Sequence, residues 1–126
     1  MTRSKTRREA YRAEVLRALK AIEQEVDALV GRCDKLEREL EELEHAGIAN
    51  AGVHYRDGRY LYLLHSCAGG GTSGRRREYI GSDPERQKEA LGRVERYRRH
   101  QVVQRELDTL TERLREVALR TSWIST

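Results

Sequence analysis

The amino-acid sequence predicts a mainly α-helical fold with a small β element: a long antiparallel two-helix coiled coil with a three-stranded antiparallel meander at its tip. Of the 126 residues, 37% are charged and 6% are aromatic, which is typical of long helices with a narrow apolar seam. Two long stretches also have apolar residues at helical spacing, and a glycine-containing stretch with alternating apolar residues separates them. We expect a single domain of this architecture over residues 1–126.

The first helix is predicted over residues 11–46, after a basic arm at residues 1–10. Apolar residues recur along the helix at alternating spacings of four and three, which is the pattern of a coiled-coil seam. The helix should end near Gly47, because glycine is favoured just beyond a helix C-terminus. The seam residues are Val15, Leu19, Ile22, Val26, Leu29, Cys33, Leu36, Leu40 and Leu43.

The β element is predicted over residues 52–81, with strands at 53–56, 59–64 and 75–80. Asp57-Gly58 indicates a two-residue type I′ turn between the first two strands, because both central residues of that turn need positive φ. A glycine-rich stretch then predicts a flexible loop at 68–75. A sheet this small is not stable alone, so we expect it to pack on the helix ends.

Alternation along the second strand sorts its side chains onto two faces. Leu61 and Leu63 share one face and should contact the helices, whereas the tyrosines on the other face should point outward. The outward tyrosines are Tyr60 and Tyr62, and their cross-strand neighbour would be Tyr55 or Tyr79.

The second helix is predicted over residues 83–120, with Pro84 at its first position and a tail at 121–126. Its apolar pattern breaks between Tyr97 and Val103, which predicts a phase shift of the seam near residues 100–104. Two helices of matched length joined by a compact β element favour an antiparallel hairpin, which would place Val15 and Leu19 near Leu114 and Val117. A two-helix seam is marginal by itself, so we expect dimerisation into a four-helix arrangement.

Charge is distributed unevenly, although the net charge is only +4. Residues 1–20 have a net charge of +5, residues 21–51 of −6 and residues 52–100 of +5. The basic zones favour an anionic partner, most often nucleic acid and sometimes a membrane surface. The acidic stretch would, however, run beside five arginines of the second helix and neutralise several of them. These arginines are Arg93, Arg96, Arg98, Arg99 and Arg105.

Tyrosines ringed by arginines are the best candidate site. Aromatic faces stack on bases, and guanidinium groups match phosphate oxygens, so this composition indicates nucleic-acid binding by the β tip. The basic arm is a second candidate, because it could follow a phosphate backbone. The predicted binding residues are Arg56, Arg59, Tyr60, Tyr62, Arg75, Arg76, Arg77, Tyr79 and Lys88, together with Arg3, Lys5, Arg7 and Arg8 in the arm.

The sequence offers little for catalysis, and we expect no enzyme activity, cofactor or metal. No nucleophile–base pair and no phosphate loop with its lysine is visible. Only one pair among His54, His65, Cys67 and His100 has a short spacing, which is too little to indicate a metal site. Two cysteines without a signal peptide or a membrane-spanning stretch predict a cytoplasmic protein with reduced thiols.

Four segments resemble a widespread domain family of unknown function that has a tyrosine-rich β element and long flanking helices. They are residues 59–63 (RYLYL), 76–81 (RREYIG), 95–99 (ERYRR) and 107–110 (LDTL). Genes of this family often lie near transposases and other mobile-element genes, so the resemblance implies a role in DNA transactions. Many members have a cysteine-rich stretch before the first strand, where this chain has residues 47–51 (GIANA), so the family's zinc site is not carried over.

Two functional hypotheses follow. The first is a non-enzymatic nucleic-acid-binding accessory protein, of a mobile element if the resemblance holds, that acts in transposition or regulation. The second is a coiled-coil interaction module that docks to, or inhibits, a larger enzyme or complex. Partners are therefore DNA or RNA in the first case, and a second copy or a larger protein in the second, and we expect no membrane partner.

Overall fold

The structure, a computed structural model, describes residues 2–66 and 75–122, with only the backbone described at Thr2 and Arg75. Two long helices and a three-stranded antiparallel sheet confirm the predicted fold class. The elements are, in chain order, α1 (Thr2–Ala46), β1 (Ala51–Arg56), β2 (Tyr60–Ser66), β3 (Arg75–Gly81) and α2 (Pro84–Thr121).

The observed bounds differ from the predicted ones mainly at the N-terminus. Helix α1 begins at Thr2, so residues 2–10 continue the helix where we expected a basic arm. Six of the nine residues at 2–10 are Arg, Lys, Glu or Ala, which are good helix formers, and the stretch contains no glycine or proline that would end the helix. Residues 68–74 of the predicted loop at 68–75 and residues 123–126 of the predicted tail at 121–126 lie outside the described residues.

The chain divides into two compact units. The first unit comprises Met1–Lys35 and Leu107–Thr126, and the second comprises Leu36–Glu106. Each unit pairs a part of α1 with a part of α2.

In the first unit, the two helix segments run antiparallel. Arg113 near the end of α2 donates a hydrogen bond from Nη2 to Oε1 of Glu25 in α1, at 3.2 Å. Leu29 and Cys33 of the seam are buried. Val15 and Leu19, which we expected to lie near Leu114 and Val117, are 56% and 45% exposed. The intramolecular seam is thus closed over only part of α1 in this unit.

The second unit contains the sheet and the helix segments next to it. Gly47 adopts φ 102°, and its N–H donates to the carbonyl of Leu43 at 3.1 Å, which terminates α1 as the sequence predicts. The following loop is held to α2, because the Ala49 N–H donates to the Arg93 carbonyl at 3.0 Å. One packed cluster of this unit joins the sheet to the loop before it and to α2, and it consists of Ala49, Leu61, Leu63, Ile80, Ala90 and Val94.

Helix pairing is also antiparallel in this unit. Arg99 donates to both carboxylate oxygens of Glu39, at 2.9 and 3.1 Å. His100 donates from Nε2 to Oε1 of Glu44 at 2.8 Å, and its side chain is only 16% exposed. Since Tyr97, His100 and Val103 follow one another at spacings of three, a histidine occupies the seam where the apolar pattern breaks.

The sheet has the order β1-β2-β3, and both pairings are antiparallel. Asp57 and Gly58 have φ of 56° and 68°, and the Arg59 N–H donates to the Arg56 carbonyl at 3.2 Å, so the predicted turn is present. Arg56 pairs with Tyr60 across the strands, however. The loop therefore contains three residues, one more than predicted.

Candidate nucleic-acid interface

The two faces of the sheet have different environments. Leu61 and Leu63 are 0% exposed and belong to the core that includes α2, which defines the inner face. Tyr60 and Tyr62 alternate with them and lie on the opposite, outer face, as predicted. Tyr55 pairs with Leu61 and therefore lies on the inner face. Of the two neighbours considered for the tyrosines, only Tyr79 lies on the outer face.

Three aromatic rings form a row across the outer face, one from each strand. Tyr62 on the central strand lies between His54 on β1 and Tyr79 on β3, which are its cross-strand partners. The centroids of the Tyr62 and Tyr79 rings are 5.1 Å apart at 51°, and those of His54 and Tyr62 are 6.4 Å apart at 46°. Tyr79 is 59% exposed, so much of its ring is open to a ligand. We call His54, Tyr62 and Tyr79 the aromatic row.

A shallow pocket of about 190 Å³ lies beside the aromatic row. Arg56 of β1 and Arg77 of β3 line it, and Leu64 forms part of its wall. Gly52 of β1 is the cross-strand partner of Leu64, and a Cβ built on Gly52 would meet no atom within 4 Å. Because glycine supplies no side chain at this position, the sheet surface stays open above Leu64.

Among the described side chains, every formally charged one on the outer face is basic. The positions of the three strands that share this face include Arg56 and Arg77 and no Asp or Glu. Neither arginine forms an ion pair or a side-chain hydrogen bond with another described residue. Their guanidinium groups are therefore available to an anionic ligand.

The inner face, in contrast, has an acidic residue that is already engaged. His65 donates from Nε2 to Oε1 of Glu78 at 2.6 Å, and Arg93 lies 3.3 Å from Oε2 of the same carboxylate. The hydrogen bond from His65, assisted by Arg93, lowers the pKa of Glu78, although desolvation opposes this shift. The Arg93 Nε lies 3.3 Å from Glu89, but at an angle that leaves it without a hydrogen bond. This cluster attaches β3 to α2 rather than forming a ligand site.

Of the remaining predicted binding residues, Arg59 contacts an outer-face side chain, whereas the others with described side chains do not lie on that face. The guanidinium of Arg59 lies over the ring of Tyr60, with its carbon 5.4 Å from the centroid. Arg76 pairs with His65 and thus belongs to the inner side, and Lys88 is exposed on α2. The side chain of Arg75 lies outside the described residues. The basic residues Arg3, Lys5, Arg7 and Arg8 are exposed on α1 in the first unit.

Sequence reasoning missed two contributors to the site, His54 and Gly52. Once the turn at Asp57-Gly58 is given three residues, alternation along β1 places His54 and Arg56 on the same face as Tyr62. The same alternation places Gly52 at the pocket. The signal was present in the sequence, but it depended on the length of the turn.

The residues considered for metal binding are not brought together. His54 lies on the outer face and His65 on the inner face. Within residues 2–66 and 75–122, no three His, Cys, Asp or Glu side chains are grouped as metal ligands. Cys67 lies outside this part of the chain, and Cys33 is a buried free cysteine in the seam.

Comparisons of the chain with family models, curated proteins and solved structures gave no significant match. In the described part of the chain, neither helix is long and apolar enough to cross a membrane.

Proposed function

We propose that this protein binds single-stranded nucleic acid through the outer face of its sheet, without catalysing a reaction. The observation that carries the proposal is the aromatic row, one ring from each strand, flanked by two arginines that have no partner among the described residues. The individual features are common. Their combination on one exposed face is suited to a polymer of bases and phosphates.

In the proposed complex, bases stack on the rings of the aromatic row. Every base has a π-face, so an aromatic ring can stack on any of them, with about 1–3 kcal/mol per base. Tyr79 supplies the most exposed ring, and Tyr62 lies 5.1 Å from it. Bases within a duplex already stack on their neighbours, so a sheet face of this kind favours single strands.

In the same complex, Arg56 and Arg77 bind the phosphate groups. A guanidinium presents a planar fork of donors that matches two phosphate oxygens. Arg56 and Arg77 lie on the two edge strands, β1 and β3, and line one pocket beside the aromatic row. A strand laid across the sheet could therefore stack its bases on the rings and direct its phosphates toward this pocket.

Several arginines of α2, in contrast, are already engaged by carboxylates. Arg99 is bound by Glu39, Arg113 by Glu25, and Arg93 by Glu78. Of the α2 arginines that we expected the acidic stretch of α1 to neutralise, Arg99 pairs with that stretch, whereas Arg93 pairs with Glu78 of β3 instead.

Fluorescence anisotropy with labelled single-stranded DNA, single-stranded RNA and duplex DNA, over a range of salt concentrations, tests the proposal. We expect single strands to bind more tightly than the duplex, with an affinity that falls as salt rises. Arg77→Gln should weaken binding and reduce the slope of log K against log salt by about 0.7 for each phosphate that the variant no longer neutralises.

Arg76→Gln is the matched control, because Arg76 adjoins Arg77 on the same strand but lies on the inner side. It removes the same charge, so it corrects for the general attraction between a basic protein and DNA. Absence of binding to any single strand at low salt would contradict the proposal, as would equal reductions in affinity for the two variants.

An accessory role in transposition or regulation stays a prediction based on the family resemblance. The alternative function, a coiled-coil interaction module, is supported by the exposed apolar residues of α1, whose partner is considered below.

A further inference from the structure

The seam of α1 becomes steadily more exposed toward the N-terminus. Leu36 is 2% exposed and Leu29 is 9%, but the exposure rises to 37% at Ile22, 45% at Leu19 and 56% at Val15. The spacing of four and three residues continues unchanged through this region. The sequence thus maintains a coiled-coil seam where the intramolecular partner no longer covers it.

The exposed stripe is wider than the seam alone. Tyr11, Leu16 and Val30 add exposed apolar surface, with exposures of 60%, 46% and 43%. At about 100° per residue, Leu16 and Val30 lie on the side of α1 toward which Leu19 points. We define the α1 stripe as Val15, Leu16, Leu19, Ile22 and Val30.

We propose that a second copy of this chain covers the α1 stripe, with the two α1 helices antiparallel. The stripe is continuous with a coiled-coil interface that already exists within the chain, so the same packing geometry extends onto it without a change of period. An α1 helix offers the matching stripe, which makes the contact self-complementary as a twofold dimer requires.

The register of the two helices follows from pairing apolar seam residues of one copy with apolar seam residues of the other. Centring the twofold axis between residues 20 and 21 places Leu19 against Ile22 of the second copy. The same register places Val15 against the half-buried Val26 of the second copy. By symmetry each of these layers occurs twice, so four apolar layers close the interface.

Charge selects the antiparallel orientation. Residues 6–20 contain five basic and two acidic side chains, whereas residues 21–35 contain four acidic and two basic ones. The antiparallel register sets the basic segment of one copy beside the acidic segment of the other. A parallel register would set the two basic segments side by side, where they repel each other.

Sedimentation velocity on nuclease-treated, full-length protein measures the dimer dissociation constant. We expect Leu19→Glu to raise this constant at least about 100-fold, because each dimer would place two carboxylates in an apolar seam. Val15→Glu is a second test, since Val15 is 56% exposed and the monomer should tolerate the change. Helix content from circular dichroism checks that each variant is folded.

Gln24→Glu is the matched control, because it adds the same charge to the same helix at an exposed position outside the α1 stripe. We expect it to leave the dissociation constant within about twofold. Rising salt should weaken an antiparallel dimer by screening the attraction between segments, and should strengthen a parallel one. A monomer at every concentration, equal effects of Leu19→Glu and Gln24→Glu, or a dimer strengthened by salt would each overturn the proposal. If the protein were a monomer at every concentration, a different protein or nucleic acid would have to cover the α1 stripe.

Discussion

Tyr79→Ala tests the aromatic row most directly. The Tyr79 ring is 59% exposed on β3 and lies 5.1 Å from the ring of Tyr62. Truncation removes one stacking surface and opens one side of the neighbouring ring. If Tyr79 stacks on a single base, binding should weaken by about 1–3 kcal/mol. Since about 1.4 kcal/mol corresponds to tenfold in affinity, the dissociation constant should rise by about 5- to 150-fold.

The same substitution should lower folding stability only modestly. The Tyr79 side chain is more than half exposed and loses mainly its ring contact with Tyr62, so a decrease of no more than about 1.5 kcal/mol is expected in urea unfolding. Tyr79→Phe retains the ring and removes only the hydroxyl, and should therefore bind almost as tightly as the wild type. Together these measurements separate loss of stacking from loss of folding.

Tyr55→Ala provides the matched control. Tyr55 is 43% exposed on the other edge strand, β1, and lies on the inner face opposite Leu61. The substitution removes the same atoms from the same sheet, but from the face to which we assign no role in nucleic-acid binding. Anisotropy titrations with a short single-stranded oligonucleotide should show wild-type affinity. Equal losses of affinity in the Tyr79 and Tyr55 variants, or no loss in either, would contradict stacking of bases on Tyr79.

Three further substitutions have defined outcomes. Gly52→Glu should weaken single-strand binding by about tenfold in anisotropy titrations, because it adds a carboxylate beside the basic pocket, whereas the isosteric Gly52→Gln should not. Glu78→Gln should be destabilising near neutral pH. The pKa of Glu78 is held below its ordinary 4.5 in the folded protein, so its stabilisation is complete above about 4.5 and is lost as the pH falls through the lower folded value. The stability gap between Glu78→Gln and the wild type, from urea unfolding at several pH values, should therefore shrink in acid; a constant gap would contradict this account. Leu63→Ala should cost about 2–5 kcal/mol in urea unfolding because its side chain is fully buried, and a decrease below about 1 kcal/mol would show that the sheet does not depend on this core.

Much of the fold was predictable because three strong local signals agree with it. The heptad series along α1 and the proline at the start of α2 locate both helices. Asp57-Gly58 locates the hairpin, since few other residue pairs adopt two successive positive φ values. The extent of α1 before residue 11 was not predictable from the seam, because that stretch contains charged residues in place of seam residues.

The composition of the site depended on a detail that local signals do not determine. With a two-residue turn, Tyr55 would pair with Tyr60 and lie on the outer face with it. With the observed three-residue loop, Tyr55 pairs with Leu61 and turns inward, and His54 takes the outer position beside Tyr62. A shift of one residue in a strand register moves every side chain to the other face. The choice between Tyr55 and Tyr79 was therefore open until the register was known.

Charge illustrates a second limit of sequence reasoning, and it bears on function. Summed over residues 52–100, the net charge of +5 suggests a broadly basic surface. In the structure, carboxylates engage Arg93 and Arg99, whereas Arg56 and Arg77 have no partner among the described residues. Exposed ion pairs contribute little to stability, but they do lower the local potential that an approaching anion experiences. For the nucleic-acid binding that we propose, the relevant basic charge is that of Arg56 and Arg77, and the strand register places both on the outer face.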